Sequence, residues 1–173
     1  MNKLSIILLL SLLTWSLANA ETRIAVLDFE LNDLTLAPHI PAEIQRTASL
    51  KILLENELLK AGYQLIPISA ASQQQANAGV GYLFAHAELA AKLAQSVKAD
   101  YIVLGRLHKP SFLFAYIMAK LVRTSDGRII GNYIVESKGN EHKLTLKGIE
   151  TLTVKIDHDL DQRYSPPAPN KQH

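Results

Sequence analysis

Three carboxylates, Asp28, Glu30 and Asp33, fall within six residues at the end of the apolar run RIAVLDF. Open α/β sheets bind ligands at the carboxyl ends of their strands, and acidic side chains there could hold a hard cation or a polar ligand. The competing reading has Asp28 and Asp33 accepting from turn N–H groups, with Glu30 in solvent. Arg106, His108 and Lys109 form the one local cationic group. They could receive a carboxylate or phosphate, or stand as solvated strand-end charges.

The six histidines, His39, His86, His108, His142, His158 and His173, are spread along the chain. None has the i, i+4 histidine partner of a helical metal pair, and Pro41 keeps His39 and Glu43 off a shared helical face. Asp157-His158-Asp159-Leu160-Asp161 has a metal-binding composition. Carboxylates at a helix carboxyl end oppose the helix dipole, so this segment reads as fraying into solvent. The chain has no cysteine, which excludes thiol chemistry, thioether haem attachment and sulfur-ligated zinc. No G-x-G-x-x-G, P-loop, G-x-S-x-G or H-E-x-x-H occurs. No catalytic residue, cofactor or metal site is therefore assigned.

The elements that must position these groups follow from periodicity. Residues 23–29 read as a strand and 31–40 as a loop containing Asn32, Asp33 and Pro38. Pro41 suits the first position of a helix. From there to residue 60, Ile44, Ala48, Ile52, Leu58 and Leu59 lie near helical spacing, leaving Glu43, Arg46 and Glu55 to solvent. Ala61-Gly62 ends that helix. Residues 63–68 form a second strand, 69–81 a small, polar stretch that is in part a short helix, and 82–97 an alanine-striped helix. Strand three spans 101–109 and ends at Pro110, which cannot donate to a ladder. Strands four (112–123) and five (128–138) flank a turn at Asp126-Gly127, with Gly139-Asn140 closing the last. A final amphipathic helix covers 144–160. The order β-α-β-α-β-β-β-α gives a mixed α/β (α+β) fold with one five-stranded mixed sheet and helices packed on it.

Residues 99–140 scarcely alternate between apolar and polar, so both faces of these strands need cover. In strand four Leu113, Ala115, Ile117, Ala119 and Leu121 point one way. Phe112, Phe114, Tyr116 and Met118 point the other, a large aromatic-rich set of the kind found at interaction hot spots. That second set lies under a helix or forms a surface for a partner. Strand five matches two-sided burial, with Ile129, Tyr133 and Val135 against Ile130 and Ile134.

Residues 1–20 read as a cleaved signal peptide. Lys3 is the basic start, 4–17 the apolar region, and Ala18-Asn19-Ala20 the cleavage site. The apolar run is shorter than the roughly 20 residues of a membrane span. The formal charge of +2 becomes +1 without Lys3, and the charges are interspersed. That pattern carries no footprint for nucleic acid or an anionic membrane. Residues 21–163 suit a single domain, and the proline-rich 164–173 a disordered tail.

Ala25-Val26-Leu27-Asp28-Phe29 and Ala99-Asp100-Tyr101-Ile102-Val103-Leu104-Gly105 resemble strands of TolB amino-terminal and CsgG-like periplasmic domains. Gly105, Lys109-Pro110-Ser111, Gly127, Gly139-Asn140 and Gly148 resemble a family of secreted bacterial proteins of unknown function. The resemblance implies an accessory role and brings no activity, cofactor or catalytic residue. The expectation is a periplasmic, non-catalytic binding or assembly module. Its partner would be a periplasmic protein or a second copy, without nucleic acid or stable membrane insertion. The alternative is a small-ligand or metal receptor using Asp28, Glu30 and Asp33, or Arg106 and Lys109.

Overall fold

The computed structural model describes residues 21–137, 142–161 and 163. The expected signal peptide, the Gly139-Asn140 strand break and the tail from 164 lie outside the described residues. The elements are β1 (Arg23–Val26), β2 (Glu30–Asp33), α1 (Pro41–Lys60), β3 (Gln64–Leu65), α2 (Ala70–Ala76), α3 (Tyr82–Ala85), α4 (Ala87–Ser96), β4 (Tyr101–Lys109), β5 (Tyr116–Arg123), β6 (Ile129–Glu136) and α5 (His142–Asp159). One mixed sheet runs β3-β1-β4-β5-β6, with β2 also paired to β4. β1 is parallel to β3 and β4, and the β4–β5–β6 meander is antiparallel. No described helix is long and apolar enough to cross a membrane.

The sixth strand, β2, stands where a loop was expected. Val26 pairs with Val103 and Glu30 with Arg106. Residues 26 to 30 thus oppose 103 to 106, one residue more on the β1–β2 side. That is a bulge, and it inverts which side chains face which way. Ile24 and Val26 share a core face with Phe29, while Ala25 and Leu27 lie on the opposite face. The Phe29 ring lies over Gly105, where a Cβ would collide with it.

Two apolar clusters sandwich the sheet, which accounts for the missing alternation in 99–140. On one face Leu50, Leu54 and Leu58 of α1 and Ile149, Leu152 and Ile156 of α5 pack on Val103, Leu107, Ile117, Ala119 and Leu121. On the other, Ala87, Ala90, Ala91 and Ala94 of α4, with Leu83 and Phe84, cover Ala25, Leu27, Ile102, Leu104 and Val122. Small residues let α4 lie close to the strands. The expected second helix is broken at His86, whose dihedrals (φ −109°, ψ 69°) leave the helical region. The second strand shrinks to β3. In the last strand Ile129 and Ile134 are exposed: a register shift at Leu121/Val122 displaces Ile129, and Ile134, opposite Met118, lies beyond the buried residues of the α4-side cluster.

The expected face of α1 is corrected. Ile44, Ile52 and Leu59 face solvent, whereas Glu43, Arg46 and Thr47 are buried with Leu50, Leu54 and Leu58. The leucine stripe fixes the inward side, and the charges follow because they find partners. Lys109 Nζ donates to Glu43 Oε1 at 2.8 Å, and Arg46 Nη1 lies 3.5 Å from Glu43 Oε2. Arg46 also donates to Thr145 Oγ1 (3.1 Å), Ser137 Oγ (2.6 Å) and the Ser137 carbonyl (3.1 Å). Buried Asp33 accepts from the Thr35 and His39 N–H groups at 3.0 and 3.3 Å. Burial pushes its carboxyl up, but those hydrogen bonds and the charge on Lys109 outweigh it and hold the pKa below the ordinary value.

The acidic end of α5 does not fray into solvent. Asp157 is buried and accepts from Tyr63 Oη at 2.6 Å, and Asp159 accepts from Tyr133 Oη at 2.7 Å. The tyrosines supply the donors that offset the unfavourable dipole. Burial and the neighbouring aspartates raise both phenol pKa values.

Glu43→Ala leaves Lys109 and Arg46 as uncompensated buried cations and should cost about 3 kcal/mol. A Glu43→Met/Lys109→Met pair should recover most of that loss in denaturant titration. A double variant as weak as the single would refute the coupling. The tyrosine clasps set an alkaline limit. A phenol raised in the folded state contributes stability that is complete below its unfolded value of 10.0 and is lost as pH rises above it. The stability difference between wild type and Tyr63→Phe/Tyr133→Phe should hold constant from neutrality to about pH 10 and shrink beyond it. A constant difference well above that pH would show that the phenols are not linked to folding.

Candidate functional site

Of the expected acidic cluster, Asp28 and Glu30 border one cleft and Asp33 is buried apart from it, and each of the three has its own basic neighbour. Asp28 sits at the interruption and pairs with Lys51 at 3.0 Å. Glu30 turns to the α4 face of the sheet and meets Arg106 Nη2 at 3.2 Å. Asp33 turns to the α1 face beside Lys109. The expected cationic group divides in the same way. Arg106 lies 4.2 Å over the Phe84 ring, which also carries Lys120 Nζ at 4.6 Å. Lys109 is buried against Glu43. His108 Nδ1 contacts Asn32 Nδ2 at 3.1 Å, and its ring stacks on Tyr116 with centroids 6.5 Å apart. Among the described residues, no group of three or more His, Asp or Glu is placed to hold a metal ion.

The four residues of the expected aromatic face also separate. Met118 packs against the α3–α4 cluster, while Tyr116 stands at the strand end, half-buried beside His108. Phe112 and Phe114 are not in the strand. Pro110 ends β4, the hairpin register closes on His108–Tyr116, and residues 110–115 cross between them as a loop. Phe112, Leu113 and Phe114 are 62%, 75% and 42% exposed there. Lys109 Nζ is 6.0 Å from the Phe112 ring centroid, and the Phe114 N–H donates to Ser111 Oγ at 3.3 Å. Beside them the Leu34 N–H donates to the Lys109 carbonyl at 2.9 Å. That bond brings Leu34 and Leu36, 64% and 96% exposed, to the same end of the sheet. Neither residues 34–40 nor 110–115 contain a carboxylate. Alternation could not have revealed this end, because it assigns faces only within a strand. The one local signal was Pro110-Ser111 before three bulky apolar residues.

A second feature opens along β2. Its far edge pairs with no strand among the described residues. It borders a cleft of about 610 Å³ lined by Phe29, Leu31, Ile44, Ala48 and Val80, with Asp28, Glu30 and His39 among its polar groups. The apolar positions Ile44 and Ala48, expected in the core, line this cleft instead.

Among curated proteins none matches the chain. Solved structures that it resembles include TolB from Acinetobacter baumannii, 14% identical with a TM-score of 0.50, covering 84% of this chain and 29% of that one. Lipoprotein GNA1162 from Neisseria meningitidis is 14% identical with a TM-score of 0.49, covering 79% and 99%. The PelC dodecamer protein of Paraburkholderia phytofirmans is 13% identical with a TM-score of 0.47, covering 78% and 86%. At such identities the likeness is one of fold, and for TolB it agrees with the TolB-type layout read from the two strand motifs. The family model described as "Protein of unknown function (DUF2380)" matches residues 22–156, and the chain belongs to that family.

Proposed function

We propose that this protein is an exported, non-catalytic binding or assembly module that acts through protein–protein contacts at the carboxyl end of its sheet. One observation carries the reading. Phe112, Leu113 and Phe114 are exposed together beside Leu34 and Leu36, outside both core clusters. Contiguous exposed apolar side chains of this kind mark interaction sites, and aromatic residues dominate the energetics of such contacts. The basic and apolar character of residues 1–20 supports export to the periplasm. The partner is then an exported protein or a second copy.

The alternative, a small-ligand receptor, draws support from the cleft beside β2. Arg106 and Lys109 argue against an anionic ligand, since each already faces a carboxylate. A ligand held by Asp28, Glu30 and the apolar lining would raise the melting temperature of the protein.

Phe112→Asp/Phe114→Asp should leave the melting temperature unchanged and abolish association, read by light scattering and by recovery of a periplasmic partner. Met118→Asp should instead lower the melting temperature, because that side chain packs under α3 and α4. Unfolding of the loop variant, or association that survives it, would remove the loop from the interface. A thermal-shift panel of metals, nucleotides and organic acids tests the alternative, which a flat response across the panel would sink.

A further inference from the structure

We propose that the free edge of β2 is a receptor site for an extended, apolar peptide segment of a partner protein, which adds to the sheet as a strand. The site is distinct from the exposed loop of residues 110–115.

The first argument comes from the way the edge is treated along its length. β1 is covered on its outer side by β3. Where β3 ends, the chain leaves for α2, and the side-chain amide of Gln73 takes its place. Gln73 Oε1 accepts from the Asp28 N–H at 2.9 Å, and Gln73 Nε2 donates to the Asp28 carbonyl at 3.1 Å. One amide thus satisfies both main-chain groups of a residue at the interruption between β1 and β2, as a peptide unit of a neighbouring strand would. Beyond Asp28, β2 continues for four residues with β4 as its one strand partner among the described residues. The edge is already occupied by an amide at its near end and is open at the next.

The second argument is the chemistry of the open space. Leu31 lies on the β2 side, Ile44 and Ala48 on the opposing helix, and Val80 at the rim, all bordering the cleft. A strand laid against β2 would turn alternate side chains toward these apolar walls, while its N–H and C=O groups pair with the edge. An unpaired edge invites unwanted pairing, and proteins blunt it by shortness, bulges and cover. β2 has two of these, four residues and a bulge before it, while α1 and the α2–α3 connection wall the cleft without pairing to the edge. Such an edge admits a single extended segment better than a broad sheet. The helical stripe Ile44–Ala48 turned away from the core gains a purpose, since it forms one wall.

The probe is a phage-displayed library of short random peptides selected on the full chain. Enriched peptides should carry apolar residues at alternate positions and lack internal proline. N-methylation of a synthetic peptide at alternate amides should lower affinity about tenfold at the edge-facing set and leave the other set unaffected. Ala48→Trp, which fills the cleft from an exposed helix position, should abolish binding without lowering the melting temperature. Phe112→Asp/Phe114→Asp should leave peptide binding intact, so failure of the loop interface and failure of this site are separable. No enrichment, equal tolerance of N-methylation at every position, or binding indifferent to Ala48→Trp would each overturn the proposal. So would self-association lost on Ala48→Trp without peptide binding, which would make the occupant a second copy.

Discussion

The 2.8 Å ion pair between Glu43 and Lys109 is the constraint on which the arrangement of this fold depends. It joins the first turn of α1 to the last residue of β4 inside the protein, where an unpaired charge would be costly. Arg46, one turn along the same helix, reaches Thr145 on α5 and Ser137 after β6. Three separate elements are thus fixed against α1 by directional contacts at one end, while leucines make the nondirectional packing further along. The leucine stripe sets the inward side of α1, and the charges reinforce it against rotation toward the Ile44–Ala48–Ile52 stripe. Such a rotation would leave Lys109 buried without its carboxylate.

The bulge between β1 and β2 is the second constraint, and it acts on function-bearing residues. With strict alternation Asp28 and Glu30 would share a face. The extra residue gives each of the three carboxylates a different neighbour: Lys51, Arg106 and Lys109 in turn. A composition that suggests one acidic site therefore becomes three separate electrostatic ties. The same extra residue brings Phe29 onto Gly105, so the glycine in the Ala99–Gly105 motif is required by packing. A Cβ at that position would force the ring, and with it β2, away from β4.

Much of the fold was legible in the sequence because it rests on local signals. Pro41 and Gly62 bracket α1, Asp126-Gly127 fixes the hairpin, and the unbroken apolar runs of β4 and β5 require cover on both faces. The errors share a cause: periodicity assigns faces within an element but does not identify the partner. Two stripes on α1 compete, and the partners that accept Leu50, Leu54 and Leu58 and pair with Glu43 are distant in sequence. Phe112 and Phe114 continue the alternation of β5 in sequence while lying outside the strand in space. The acidic end of α5 violates the dipole rule because Tyr63 and Tyr133, remote in the chain, arrive to donate. None of these partners was visible in a local window.

The two ends of the sheet differ in a way that bears on what the molecule can do. At the amino end of the parallel strands, polar groups close on one another. Arg23 forks onto Asp100 with contacts of 2.8 and 3.1 Å, Thr124 donates to the Ala99 and Asp100 carbonyls, and Thr22 donates to Asp161. The Arg23 guanidinium holds the Asp100 carboxyl below its ordinary pKa, as expected of a carboxylate already engaged. At the carboxyl end the charged groups pair inwardly and the bulky apolar ones remain outside. If those exposed side chains only awaited burial, hydrophobic collapse would draw them over the sheet. The Lys109–Glu43 pair lies inside the protein, and Phe112, Leu113, Leu34 and Leu36 stay exposed on the short segments 110–115 and 34–40. That end therefore leaves its apolar groups in solvent while its charges are satisfied, the reverse of the amino end.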